Sequence, residues 1–311
     1  MSGVLAGFFI VWALIGVGMV AGRSGVLGPH GRYVLNRTTF FIASPALVLL
    51  GLLESDVREV FSLPMAVAGI SGLVTGGILL LGVALFTDRR GPDLVVTAIS
   101  GSVVNGANMG FPIAAYVLGD ISHALPVVLF QQAVYTPLYL FVLHRVTEKD
   151  DPGPSGAAGV LRSIVANPTI IASAVGLLLV LVGAQIPPIL LEPVRSLADM
   201  AIPAMLLAYG LSLYGSRPLA KDDGYRGLIA AASASKLLLM PVIALGVGLL
   251  LGLRGTALYE VVVMAALPTA QNVYVAAARY RASENLARDT VLITTLGTVL
   301  VLLLISAVLE V

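Results

Sequence analysis

Two short polar stretches lie inside apolar runs of this chain. One is Asn105-Gly106-Ala107-Asn108, with Pro112 close behind; the other is Pro268-Thr269-Ala270-Gln271-Asn272. In each, an amide or hydroxyl is followed three positions on by an asparagine. Gly106 loosens a helix, and neither Pro112 nor Pro268 can donate a backbone hydrogen bond. Such stretches are costly in hydrocarbon unless they are buried in protein or line a cavity. Both runs are therefore expected to unwind near mid-depth. An unwound helix offers free N–H groups where it restarts, which attract anions, and free C=O groups where it stops, which attract cations. Two such breaks crossing each other would line a neutral polar site with Asn105, Asn108, Thr269, Gln271 and Asn272. One proline kink per run, patched by neighbouring side chains, is the plainer alternative.

Two full charges sit within apolar runs. Lys236, five residues before Pro241, could attract an anionic substrate, neutralise exposed carbonyls or pair with a carboxylate. Asp199, four residues before Pro203, could bind a proton during transport or hydrogen-bond a helix end. Gln131 and Ser44 could face the same cavity, or join helices together as polar residues in membranes often do.

Much chemistry is excluded. There is no cysteine, and the three histidines, His30, His123 and His144, lie in loops or at the ends of apolar runs. No metal site and no catalytic residues are expected, and no cofactor. No phosphate-binding Gly-Lys loop and no Gly-x-Ser-x-Gly motif occur. An intramembrane enzyme would need a nucleophile–base pair or paired aspartates at depth, and neither is found. A receptor would need an output domain, and none is seen.

The elements that must position these residues follow from composition. Of 311 residues, 58% are apolar and 11% charged, against ~25% charged in ordinary soluble domains. A water-soluble globule cannot hide that much apolar surface. The fold class is an all-α membrane protein, with the lipid bilayer as its solvent. A net charge of +1 argues against a nucleic-acid partner. The first apolar run has no basic residue before it, so it reads as a mature span and not as a signal peptide.

Ten runs are long enough to cross a bilayer: 3–22, 33–53, 64–87, 93–119, 122–145, 163–183, 188–214, 226–252, 257–280 and 287–309. Of the 18 Lys and Arg residues, 14 fall in one set of connecting loops and three (Arg58, Arg195, Arg254) in the other, with Lys236 inside a span. The positive-inside rule puts the first set in the cytoplasm. Both termini then face outside, in a plasma or inner membrane. The polar segment Glu148–Gly159 is read as a cytoplasmic linker (148–162) between halves 1–147 and 163–311.

Five spans per half is an odd number, so the halves have opposite orientation. They also resemble each other. Span 2 carries Ser44-Pro45-Ala46 and span 7 carries Ile202-Pro203-Ala204; the polar stretches of spans 4 and 9 align, although pairing Pro112 with Pro268 is a second alignment. Weak similarity between inverted halves marks many secondary transporters.

With these residues in place, the chain resembles the auxin efflux carrier family. The likeness is carried, in order, by Leu35-Asn36-Arg37 with Pro45, Asn105 with Met109-Gly110-Phe111-Pro112, Asn167-Pro168 with Gly176-Leu177, and Ser196-Leu197-Ala198-Asp199. It continues through Leu253-Arg254-Gly255, Ala265-Ala266-Leu267-Pro268 and Ala278-Arg279-Tyr280. The resemblance implies an inverted five-plus-five repeat like that of bile acid/sodium symporters. Spans 1, 2, 6 and 7 would form a scaffold. Spans 3–5 and 8–10 would form a transport domain, with broken helices 4 and 9 crossing. It maps the family's crossover asparagine to Asn105, its span-5 glutamine to Gln131 and its span-7 aspartate to Asp199. Plant members have an arginine where this chain has Lys236.

The plant carriers have a proline where this chain has Val104, and are apolar where it has Asn108, Gln271 and Asn272. The expected substrate is therefore an organic anion smaller and more polar than auxin. The expected function is a secondary transporter, an efflux carrier or facilitator working by alternating access. The alternative is a sodium- or proton-coupled symporter of the same fold. A homodimer is a candidate assembly.

Overall fold

The computed structural model describes residues 2–54, 63–147, 166–184, 186–214, 219 and 224–309; the expected linker 148–162 lies outside them. Among the described residues the chain is helical, with a single isolated bridge in place of any strand. We number the helical runs α1 (Ser2–Ser24), α2 (Gly31–Glu54), α3 (Leu63–Phe86), α4 (Pro92–Ser100) and α5 (106–118). They continue with α6 (Ile121–Thr147), α7 (Pro168–Leu181), α8 (Pro188–Leu213, with a turn at Met200) and α9 (Arg226–Leu250). The last are α10 (Gly255–Ala265), α11 (Gln271–Arg279) and α12 (Glu284–Val308). Six of these, α2, α3, α6, α8, α9 and α12, are long and apolar enough to cross a membrane.

Local chemistry sets the ends. Asn167 caps α7, its Oδ1 accepting from Thr169 N at 2.9 Å, with Pro168 in the first turn where no N–H is needed. Asp120 does the same for α6 through Ser122 N at 2.8 Å. Arg254 closes α9, donating from Nη1 to the carbonyls of Leu249 (3.1 Å) and Leu253 (2.7 Å).

Four prolines inside helices share one device. Pro45, Pro112, Pro137 and Pro241 each stand two residues after a π-helical turn: Thr39–Ala43, Gly106–Gly110, Gln131–Tyr135 and Ser235–Leu239. The residue before the proline donates five positions back, as Ser44 N does to Thr39 O, Thr136 N to Gln131 O and Met240 N to Ser235 O. Proline has no N–H for the carbonyl four residues earlier, and its ring would collide with that carbonyl. Widening the preceding turn moves the carbonyl aside and keeps the helix going.

The chain divides into two compact units. The first is Met1–Ser62, Ala107–Leu129 and Val165–Ser216; the second is Leu63–Gly106, Phe130–Ile164 and Arg217–Val311. In the first, α1 packs on the second half of α8, and α7 on the second half of α2. Gly18 and Gly210 let α1 and α8 approach to backbone contact: a Cβ on Gly210 would overlap the Ile15 carbonyl and lie 2.8 Å from Gly18 Cα. Small residues at such crossings are how membrane helices gain packing, since lipid offers no hydrophobic drive. Arg195 and Glu54 tie α8 to α2 with an ion pair at 2.8 Å.

In the second unit α9 packs on α3, and α12 lies against α4, α9, α10 and α11. Val96, Ile99, Tyr139, Val273 and Leu286 belong to its core. The Asp93 carboxylate gathers the starts of three helices. It accepts from Arg89 Nη1 at 3.0 Å beside α4, from Tyr225 Oη at 3.2 Å before α9, and from Ser283 Oγ before α12.

Candidate functional site: a paired helix break

In the second unit two helices stop side by side, and Gly106, where α5 starts, is the last residue of that segment of the unit. α4 ends at Ser100 and α5 begins at Gly106; α10 ends at Ala265 and α11 begins at Gln271. The two non-helical stretches pair antiparallel at Val104 and Thr269. Asn105 N donates to Pro268 O at 2.8 Å, and Ala270 N to Val103 O at 3.0 Å. Pro268 suits this position, because the pairing asks it for a carbonyl and not for an N–H.

Further groups freed by the break are satisfied from within. Thr269 N donates to Thr294 Oγ1 at 3.0 Å, and Thr298 Oγ1 donates to Ala266 O at 3.2 Å. Thr290, Thr294 and Thr298 are spaced by four on α12, so they share one face, and all are buried. That threonine ladder was the signal in the sequence for the partner of the break. Lys236, fully buried, donates from Nζ to Ala265 O at 2.6 Å. On the α4 side, Ser102 Oγ and Tyr135 Oη are hydrogen-bonded at 2.6 Å, and Tyr135 Oη also donates to Gly72 O at 3.2 Å. Tyr135 closes the wide turn that starts at Gln131, so this bond ties that turn to the break.

Pro112 and Thr269 occupy different kinds of place. Pro112 is not at the break. It lies within the helical run 106–118, where the π-turn Gly106–Gly110 accommodates its ring; the interruption is upstream, at 101–105. Gly106 stands at the restart, its N donating to Val104 O at 2.8 Å. Thr269 was expected to line a binding site. It is fully buried, and its Oγ1 donates to Ser100 O at 2.6 Å, so its polar atoms stitch the two chains together. Replacing Thr294 with valine, which keeps the shape, is expected to lower the thermal unfolding midpoint. It strands the buried Thr269 N–H at a cost of ~1–3 kcal/mol, and an unchanged midpoint in purified protein would contradict the stitching role.

Other expected residues separate by unit. Asn105 is 2% exposed, and its Nδ2 is buried with no partner. Gln131 is half-buried, with Oε1 buried and unpartnered. Gln271, half-buried, and Asn272, exposed, open the first turn of α11, where helix geometry provides N–H groups with no intrahelical acceptor. These four, with Thr269 and Lys236, belong to the second unit; Ser44, Asn108 and Asp199 belong to the first. Ser44 is buried just after a wide turn, Asn108 is half-buried in one, and Asp199 is exposed at the turn interrupting α8. Sequence reading missed Ser100, whose fully buried Oγ also has no partner. Asn105 Nδ2 and Ser100 Oγ are thus buried donors at the break with no acceptor among the described residues.

A chain that is helical among its described residues, with several membrane-length apolar helices and a buried polar break, is built like a membrane carrier. Comparison with known proteins gives the family. Residues 4–306 match the family described as "Membrane transport protein", the auxin efflux carrier family, and the chain belongs to it. It is similar to a protein of Rhizobium meliloti (strain 1021) named "Putative malonate transporter", at 28% identity over 85% of this chain and 83% of that one. It is also similar to an uncharacterized transporter of Methanocaldococcus jannaschii, at 24% identity over 95% of each chain. A third, from Methanothermobacter thermautotrophicus, is 25% identical over 96% of each. The protein is a multi-pass membrane transporter and not an enzyme.

Proposed function

We propose that the protein is a secondary carrier or facilitator for a small organic anion, of the size of a short dicarboxylate, working by alternating access. The observation that carries this reading is the buried Asn105 amide, with an unpartnered Nδ2 donor beside a paired helix break. A buried donor without a partner is costly to keep, and a carboxylate oxygen is the complement it lacks. Ser100 Oγ and the first-turn N–H groups of α11 supply further donors without a counter-charge. The amides of Gln271 and Asn272 on the same helix favour a polar solute over an aromatic one. The name of the Rhizobium meliloti relative, which speaks of malonate, agrees in size and charge.

In this reading ten spans form two inverted repeats, 1–147 and 163–311, joined by a cytoplasmic linker, with both termini outside. The 14-to-3 division of basic residues supports that orientation. Spans 1, 2, 6 and 7 act as scaffold, and spans 3–5 and 8–10 as the moving domain. The division into two compact units supports this, with one difference: Ala107–Leu129 groups with the scaffold spans. The test is a thermal-shift panel on purified protein, with malonate and succinate against indole acids, at several pH values and with or without sodium. Short dicarboxylates are expected to raise the unfolding midpoint most. An indole acid outranking them would sink the assignment.

A further inference from the structure

The side-chain nitrogen of Lys236 sits at an unusual place. Lys236 lies in the wide turn Ser235–Leu239 that precedes Pro241, and it is fully buried. Its Nζ meets Ala265 O at 2.6 Å and Met240 Sδ at 3.3 Å, and neither partner is a carboxylate. Ala265 is the last residue of α10. The final carbonyls of a helix have no intrahelical donors, and the negative end of its dipole lies there. The next carbonyl, Ala266 O, is met by the Thr298 hydroxyl. Backbone carbonyls at the C-terminal end of a half-helix, with a hydroxyl beside them, are what coordinates small monovalent cations in carriers built on broken helices.

We propose that Lys236 is a tethered cation: its side chain fills, by covalent attachment, the position at the end of α10 that would otherwise take a small mobile monovalent cation. The carrier therefore needs no such ion to hold its break together. This rests on the break as the carrier's site, not on which anion is carried. The ammonium is fixed to α9 by its own chain and to α10 by the Ala265 carbonyl, so it joins two helices that packing alone would leave with an unneutralised dipole end between them. Lys236 is a positioning residue in this account, acting through the backbone of α10.

The test compares thermal unfolding of the full-length protein in sodium, potassium, ethylammonium and choline chloride at matched ionic strength. Wild type is expected to have the same midpoint in all four. Lys236→Ala is expected to have a lower midpoint in choline, and to recover at least half of the loss in sodium, potassium or ethylammonium. Lys236→Gln, which keeps an N–H donor and loses the charge, is expected to behave like the alanine variant, while Lys236→Arg stays insensitive to the cation. The proposal is overturned if wild type is itself stabilised by sodium, if the alanine variant responds to none of the cations, or if the glutamine variant matches wild type. Loss of both neutral variants with survival of the arginine variant supports the need for charge; loss of all three overturns it. Because no organic anion is present, a flat cation response and an absence of carboxylate exchange are separate results.

Discussion

Asn105→Ala is expected to cut flux of a short dicarboxylate by roughly 10- to 100-fold, while the amount and the unfolding midpoint of the protein stay at wild-type levels or rise slightly. The two halves of that statement have one cause. Asn105 Nδ2 is buried and has no partner among the described residues. Removing it therefore breaks no internal hydrogen bond, and it removes a desolvated donor whose retention is unfavourable. A structural asparagine would behave in the opposite way, losing stability first. The size follows from the bond that the amide is proposed to give a carboxylate: hydrogen bonds to charged groups contribute ~1.5–3 kcal/mol, and each ~1.4 kcal/mol is a factor of ten. The Asn105 backbone N–H, which holds Pro268 O at 2.8 Å, survives the substitution, so the paired break itself is retained. Flux in sealed vesicles at matched protein density is the measurement. Unchanged flux would remove Asn105 from the site, and a collapse of protein level would make it a structural residue.

Gly210→Ala is expected to destabilise the protein by about 3 kcal/mol, at the upper end of what overpacking costs, and to empty the membrane of folded carrier. The added methyl would overlap the Ile15 carbonyl and press on the Gly18 backbone. Backbone on both sides leaves no side chain that can rotate away. Gly16→Ala is the matched control: it lies two residues from Gly18 on α1, and a Cβ there meets nothing within 4 Å. It is expected to be neutral or slightly stabilising, since alanine is the better helix former. Equal yields and midpoints for the two variants would show that α1 and α8 do not meet through these glycines.

The helical, membrane-type character of the chain was legible because apolar length is the strongest signal a membrane chain carries, and six described helices have that length. The stop at Ala265 was legible as well, since Pro268 and the polar residues behind it cannot continue a buried helix at no cost. Pro112 misled for a physical reason. A proline inside a helix breaks it only if the preceding turn stays narrow, and the turn width at Gly106–Gly110 is not written in residue types. Gly101 was the better sign of the interruption in span 4: a Cβ there would lie 3.1 Å from Ala232 O, on α9. Thr269 was read as a ligand because a hydroxyl in an apolar run is polar whichever way it points; its direction, toward Ser100 O, is not written in its residue type. Lys236 left three readings open, and the structure sets its Nζ 2.6 Å from Ala265 O. The threonines of α12 were overlooked because each alone is unremarkable. Their spacing by four, facing a helix that has to be broken, is the pattern to look for.

The central claim is that the paired break of α4–α5 and α10–α11 holds a short carboxylate on its way across the membrane. Exchange in proteoliposomes tests it most directly: labelled malonate is trapped inside, and unlabelled malonate, succinate or indole acid is added outside. The account predicts efflux of label above that of empty liposomes, accelerated by external short dicarboxylates and abolished by Asn105→Ala. Label that stays inside at the rate of empty liposomes, for every carboxylate tried, would contradict it.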